Sequence, residues 1–267
     1  MQVLKRVNSL WVGDRLGYLE QLCLVSAAAA GHPVTLYSYT PDHLKGVPPG
    51  IELRDAREVM PEQRVVKYAG TNSYALGSNF FRYELLAQDR GYWIDADVYM
   101  IKALDFEEPY VFGMEHEKTI NSAVLYIPPN SGMVRDLCEI PLSNQRPPWY
   151  GPKRSLAYYW KRLKKGQVRV EDMMWGTFGP LMVTYLAKKH KVVDQAQKPS
   201  VFYPISWKDA RQFYGPASVI ESSLTPDTHA VHLYNSRLVG LSDKLPPAGS
   251  YIDLVCRKHG IDTSVAA

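Results

Sequence analysis

The chain has 267 residues, 46% hydrophobic and 22% charged, the make-up of a globular protein large enough to bury a substantial core. It lacks the apolar run of about 18 residues that a membrane span needs, and Asn8, Ser9, Gly13 and Asp14 interrupt the apolar stretch after the basic Met1 to Arg6, so neither a spanning helix nor an export signal is expected and the protein reads as cytoplasmic. Cys23, Cys138 and Cys256 are too far apart for a disulfide frame or a zinc site, and the net charge of +4 comes from one segment of an otherwise acidic chain without a recognisable nucleic-acid module, which argues against nucleic-acid binding.

Val7 to Gly13 reads as a strand ending in a glycine turn. Leu16 to Ala30 follows with Leu19, Leu22, Cys23 and Ser26 at helical spacing and Gly31 as its stop, and Val34 to Tyr39 is a second strand. These pieces form a β-α-β unit, which predicts an α/β fold with a mostly parallel central sheet flanked by helices, and ligands beyond the carboxyl ends of the strands, where Trp11 and Gly13 lie. Ile51 to Asp55 is a third strand. A polar stretch leads to Ser78, expected to cap a helix that runs through Phe80, Phe81, Leu85 and Leu86 to Asp89.

After Arg90-Gly91 comes Tyr92-Trp93-Ile94-Asp95-Ala96-Asp97-Val98. As a short buried strand its apolar run stops at two carboxylates, and period-two geometry puts Asp95 and Asp97 on one side of the backbone. That is a seat for Mg²⁺ or Mn²⁺, which take hard oxygen ligands while substrate phosphates complete the shell. Val111 to Met114 and Ala123 to Ile127 are further apolar strands.

Between Ile140 and Val170 there is no Asp or Glu, but Arg146, Lys153, Arg154, Lys161, Arg162, Lys164, Lys165 and Arg169 all fall there. As a helix, Ser155 to Lys165 sets Leu156, Tyr159, Trp160 and Leu163 on one face and Arg154, Tyr158, Lys161 and Lys165 on the other. Two readings stand: the apolar stripe packs on the core, or residues 149–165, starting at Trp149-Tyr150, touch an anionic membrane or an acidic acceptor. Glu171 and Asp172 read as acids at a surface turn, with an acceptor-side role as the other reading. Leu181 to His190 is a helix, and Phe202 to Ile205 and His229 to Asn235 are short strands or ordered loops, the latter with Ala230, His232 and Tyr234 on one side.

The order of these pieces resembles the DXD-containing glycosyltransferases of the family 32-like type. The resemblance is carried by Ser78-Asn79-Phe80-Phe81-Arg82-Tyr83 followed by Asp95-Ala96-Asp97. Further segments keep the family's order: Leu10-Trp11-Val12-Gly13, Asn121-Ser122-Ala123, Gly179-Pro180, Phe202-Tyr203-Pro204 and His232-Leu233-Tyr234-Asn235-Ser236. It implies a single GT-A-like domain over 1–267, with a nucleotide-sugar-binding part over about 1–130 and a helical or irregular acceptor-side part over 131–267. It also implies transfer of a hexose from a nucleotide sugar, a UDP-sugar rather than a GDP-sugar, to a glycan or lipid-linked acceptor in surface-polysaccharide synthesis, with retention of configuration and without a dedicated general base.

On the same resemblance Asp97 holds Mn²⁺ or Mg²⁺, Asp95 lies nearer the ribose and donor sugar, and His232 is a third ligand or diphosphate contact, with Asn235 and Ser236 beside it. Trp11 stacks on the nucleobase next to Gly13, and Ser78, Asn79 and Arg82 reach the donor sugar or phosphate. The family usually carries Asp at position 79; Asn79 keeps the size and loses the charge, which leaves a non-catalytic nucleotide-sugar-binding protein as the alternative. Arg90 replaces a common glycine. A haloacid-dehalogenase-type phosphohydrolase would want Thr or Val two residues beyond Asp97, where Tyr99 stands.

Overall fold

Strand-forming runs and amphipathic segments alternate through the first hundred residues, and the computed structural model, which describes residues 4–71, 73–139 and 144–264, turns that alternation into a layered α/β fold. In chain order the elements are β1 (Val7–Trp11), α1 (Tyr18–Ala29), β2 (Val34–Ser38), β3 (Glu52–Asp55), α2 (Ala75–Ala87), β4 (Tyr92–Ile94), β5 (Val98–Met100), β6 (Val111–His116) and β7 (Thr119–Tyr126). They continue with α3 (Gly132–Cys138), α4 (Pro152–Lys165), α5 (Pro180–Lys189), α6 (Pro199–Phe202), α7 (Ala217–Glu221), β8 (Ala230–His232) and α8 (Tyr251–Lys258).

The main sheet runs β3-β2-β1-β4-β7-β6, parallel as far as β4 and antiparallel at β7 and β6. Both faces are covered, so side chains alternate between two apolar layers: Trp93 joins Phe81, Leu86 and Val183 on one face, and Tyr92 and Ile94 join Val7, Leu36 and Val124 on the other. Gly91 is required where β4 begins. Its φ is +105° and a Cβ there would lie 2.3 Å from the carbonyl oxygen of Arg6. A two-stranded sheet, β5 with β8, sets Val98 opposite His232 and so brings the C-terminal part to the carboxylates.

Four local expectations are corrected or narrowed. Helix α2 starts at Ala75, where the hydroxyl of Ser73 accepts the Ala75 N–H at 3.2 Å, so Ser78 lies inside the helix instead of capping it. Strand β4 ends at Ile94; Asp95 to Val98 is a turn closed by Val98 N–H to Asp95 C=O at 3.1 Å, and the turn, not strand alternation, aims the two carboxylates. Phe202 ends a short helix, and Tyr203 to Ile205 takes the ordered-loop form expected as the alternative to a strand. Helix α4 does not pack its apolar stripe on the core: Tyr158, on the basic face, is the buried residue, and Leu156, Tyr159, Trp160 and Leu163 are 62%, 53%, 57% and 79% exposed.

Candidate active site

The carboxylates sit in the wall of a cavity of about 730 Å³, a size suited to a small-molecule ligand. Asn79, Arg82, Asp95, Asp97 and His232 line it, and so does Ser236. Trp11, Gly13 and Ser78 are not among its lining residues. Trp11 stands half-buried at the end of β1, its indole Nε1 donating to the Arg15 carbonyl at 2.9 Å, with the exposed Gly13 against its ring. A second recess, of about 560 Å³ and lined by Phe106, Lys198 and His229 among others, shares no residue with the first.

Asp95 is held from the sheet side. Its N–H donates to Ala123 C=O at 2.8 Å, and its Oδ1 accepts from Trp93 Nε1 at 2.8 Å and faces Arg82 Nη2 at 2.9 Å. Arg82 is almost fully buried. Its guanidinium lies 4.8 Å over the Trp93 ring, Nη2 also reaches Ser78 Oγ at 3.1 Å, and Nη1 donates to the Ser122 carbonyl. Such a charge is tolerable inside only because each donor finds a partner. Arg82 and Ser78 thus form one positioning unit, and Ser78 acts through Arg82.

Asp97 is held from the C-terminal side. Its Oδ1 accepts from His232 Nε2 at 3.2 Å and its Oδ2 from the Asn235 N–H at 2.9 Å. That second bond depends on Tyr234, whose left-handed backbone (φ 57°, ψ 58°) turns the chain back toward Asp97. Burial raises the Asp97 carboxyl, but the His232 charge and these hydrogen bonds outweigh it and hold the group below the usual carboxylate range. His232 answers in kind: burial lowers its pKa, and the attraction of Asp97 more than reverses this.

The ring of His232 packs between Tyr203, 6.0 Å away, and Tyr234, 3.9 Å away at 36°. Tyr234 in turn donates to Glu115 Oε1 at 3.2 Å. Glu115, from β6, lines the cavity and was missed in the sequence, because its position follows from the β6–β7 hairpin and not from any motif. Trp175, Trp207 and Arg237 reach the cavity wall from turns that no motif marks, and Arg154, named above for its charge, reaches it from the first turn of α4. Asn79 lies beside Gly179: a Cβ on Gly179 would come within 3.0 Å of Asn79 Oδ1 and 3.3 Å of Ser122 Oγ, so the Gly-Pro start of α5 lets the chain approach this wall.

One ligand atom from each of Asp95, Asp97 and His232 lies within 4.8 Å of the others, the spread of a metal shell. Two carboxylate oxygens and an imidazole are donors that divalent ions take, and His232 Nδ1 is buried with no hydrogen-bond partner among the described residues, so the set fits a divalent ion. Glu171 and Asp172 do not line the cavity. Asp172 is buried under α4, where Lys165 Nζ pairs with its Oδ1 at 2.5 Å and Lys161 Nζ donates to its carbonyl.

Residues 159–259 match the family model described as the alpha 1,4-glycosyltransferase conserved region. The matched stretch carries Gly179, His232, Tyr234 and Asn235, and not Asp95 or Asp97. The protein is an enzyme of the glycosyltransferase class. Among solved structures, one titled PaToxG Glycosyltransferase is similar at 12% identity with a TM-score of 0.45, over 88% of this chain and 84% of that one. No curated protein matches the chain.

Proposed function

We propose that the protein is a metal-dependent, nucleotide-sugar-dependent hexosyltransferase. The observation that carries this reading is the convergence of Asp95, Asp97 and His232 in one cavity with Arg82 and Asn79. A glycosyl donor leaves as a diphosphate, and charge developing on that group has to be met. Asp97, Asp95 and His232 would hold a divalent ion there, which supplies Lewis-acid neutralisation when bound. Arg82 orients Asp95 through their 2.9 Å contact, and Asn79 offers an amide oxygen and N–H to donor-sugar hydroxyls. Trp11 and Gly13, at the end of β1, are assigned to the nucleobase, with UDP-sugars favoured over GDP-sugars.

For retention, the bond from the anomeric carbon to the diphosphate oxygen breaks while the bond to the acceptor oxygen forms on the same face. The acceptor proton passes to the departing diphosphate oxygen, so no side chain has to act as base. The acceptor is a glycan or a lipid-linked glycan precursor of a surface polysaccharide, met at the cytoplasmic face of a membrane through 149–165.

The test is thermal stabilisation by UDP, GDP and their sugars with and without Mn²⁺, followed by nucleotide release from the stabilising donor. Metal-dependent stabilisation by a uridine nucleotide is expected. A chain that no nucleotide stabilises in a metal-dependent way would falsify the reading. Tight donor binding without turnover above an Asp95→Ala/Asp97→Ala control would instead favour a binding role, the alternative that Asn79 raises.

A further inference from the structure

Helix α4 presents its apolar residues to solvent. Leu156, Tyr159, Trp160 and Leu163 are all more than half exposed, and helical geometry gathers them into an arc of roughly 100°. Lys153 and Lys164 run along one margin of this arc and Arg162 along the other, all three exposed, with Lys164 Nζ 5.8 Å from the Trp160 ring. The helix is fixed from behind by the opposite face: Tyr158 is buried in the core and Lys161 and Lys165 hold Asp172. Since the inward face of the helix already packs on the core through Tyr158 and pairs with Asp172, the outward stripe is not what fixes the helix to the protein.

The chemistry of the stripe selects its occupant. Two aromatics with an amphipathic body, two leucines and a fringe of bases with no acid from 140 to 170 make the pattern of a helix lying in a lipid–water interface, where Trp and Tyr sit at headgroup level and bases meet anionic lipids. We infer that α4 is an interfacial helix that docks the enzyme on an anionic bilayer. The same helix sends Arg154 from its first turn into the wall of the catalytic cavity, and the segment it clamps through Asp172 continues to Trp175, which also lines that cavity. Docking through α4 therefore sets the cavity beside the membrane, in reach of an acceptor held there. This inference rests on the glycosyltransferase reading for its acceptor but not for its surface.

The experiment is flotation of the full chain with vesicles of phosphatidylcholine alone or mixed with phosphatidylglycerol. Flotation with the anionic vesicles only, weakened by high salt, is expected. Trp160→Ser/Leu163→Ser and Lys153→Gln/Arg162→Gln/Lys164→Gln should each reduce the bound fraction by about tenfold or more, while metal-dependent donor turnover in vesicle-free solution stays within about twofold of the parent. The inference is overturned by a parent chain that does not float, by variants that float as well as the parent, or by sedimentation showing a dimer that Trp160→Ser/Leu163→Ser splits, which would make a second copy the occupant. Vesicle binding that follows the variants in a chain that binds no nucleotide would uphold the surface and sink the proposed donor chemistry.

Discussion

Helices α2 and α4 both contribute a basic side chain to the same cavity, yet they solve opposite problems. Helix α2 turns polar groups inward: Asn79 and Arg82 are buried in it along with Phe81, Leu85 and Leu86, and the arginine is matched donor by donor. Helix α4 turns apolar groups outward and buries only Tyr158. A helix's faces thus follow what each will touch, not a rule of apolar inside and polar outside. In the proposed function the inward polar groups of α2 serve the donor site, and the outward apolar groups of α4 serve a surface beyond the protein.

The largest expected effect breaks the inner half of that contrast. Asp97→Asn removes the charge held by His232 and the Asn235 N–H, and loss of transition-state charge neutralisation worth several kcal/mol should cut nucleotide release by about 10³-fold or more. Circular dichroism should be unchanged. Comparable turnover in Asp97→Asn and the parent would remove Asp97 from the chemistry.

Stability separates the two helices next. Arg82→Met leaves Asp95 with only the Trp93 N–H and the Ser122 carbonyl without its donor, so unfolding in urea should lose about 2–4 kcal/mol. Tyr158→Ala, which empties the one buried position of α4, belongs in the same range. Leu156→Ser or Leu163→Ser should change stability by less than about 0.5 kcal/mol. A large loss in either leucine variant would mean that the stripe is part of the core after all.

The proposed metal ligands offer a smaller and more selective effect. Tyr234 stacks on His232 and is tethered to Glu115, an arrangement that fixes the imidazole as outer-shell partners fix metal ligands. Tyr234→Leu should weaken Mn²⁺ binding, followed by electron paramagnetic resonance in the presence of UDP, by roughly tenfold. Tyr234→Phe keeps the ring and should lose less. Equal affinities in all three proteins would reduce Tyr234 to a packing residue.

Much of this was legible in the sequence, and the exceptions have a common cause. The β-α-β start, the position of β4 and the pairing of Asp95 with Asp97 follow from local apolar periods and from an Asp-x-Asp at the end of a buried run. His232 and Arg82 came from the order of segments. What stayed hidden depends on contacts between distant parts of the chain: that α2 starts three residues before Ser78, that Glu115 swings to Tyr234, and that α4 lies on its basic face. In α4 the hydrophobic pattern gave the period and left the direction open between the core and a surface outside. A lone buried acid after the helix, Asp172, recruits Lys161 and Lys165 inward, and no pattern within α4 itself announces that.

Asp172 therefore carries the last and smallest prediction, a pH dependence of the way α4 is attached. The hydrogen bond and charge of Lys165 are the main cause that lowers its pKa, burial opposes them, and the net shift is downward. A carboxyl depressed in the folded state stabilises the fold at pH values above its unfolded pKa, and that contribution fades as pH falls through the folded value. The attachment of α4 should thus be intact near neutrality and loosen only in acid, below the range where free aspartates protonate. After correction for intrinsic exchange, the protection of the α4 amides should fall in acid by more than that of amides in the main sheet, and Asp172→Asn should flatten that fall while loosening α4 at neutral pH. Amides of α4 that respond to pH identically in Asp172→Asn and the parent would show that Tyr158 alone holds the helix.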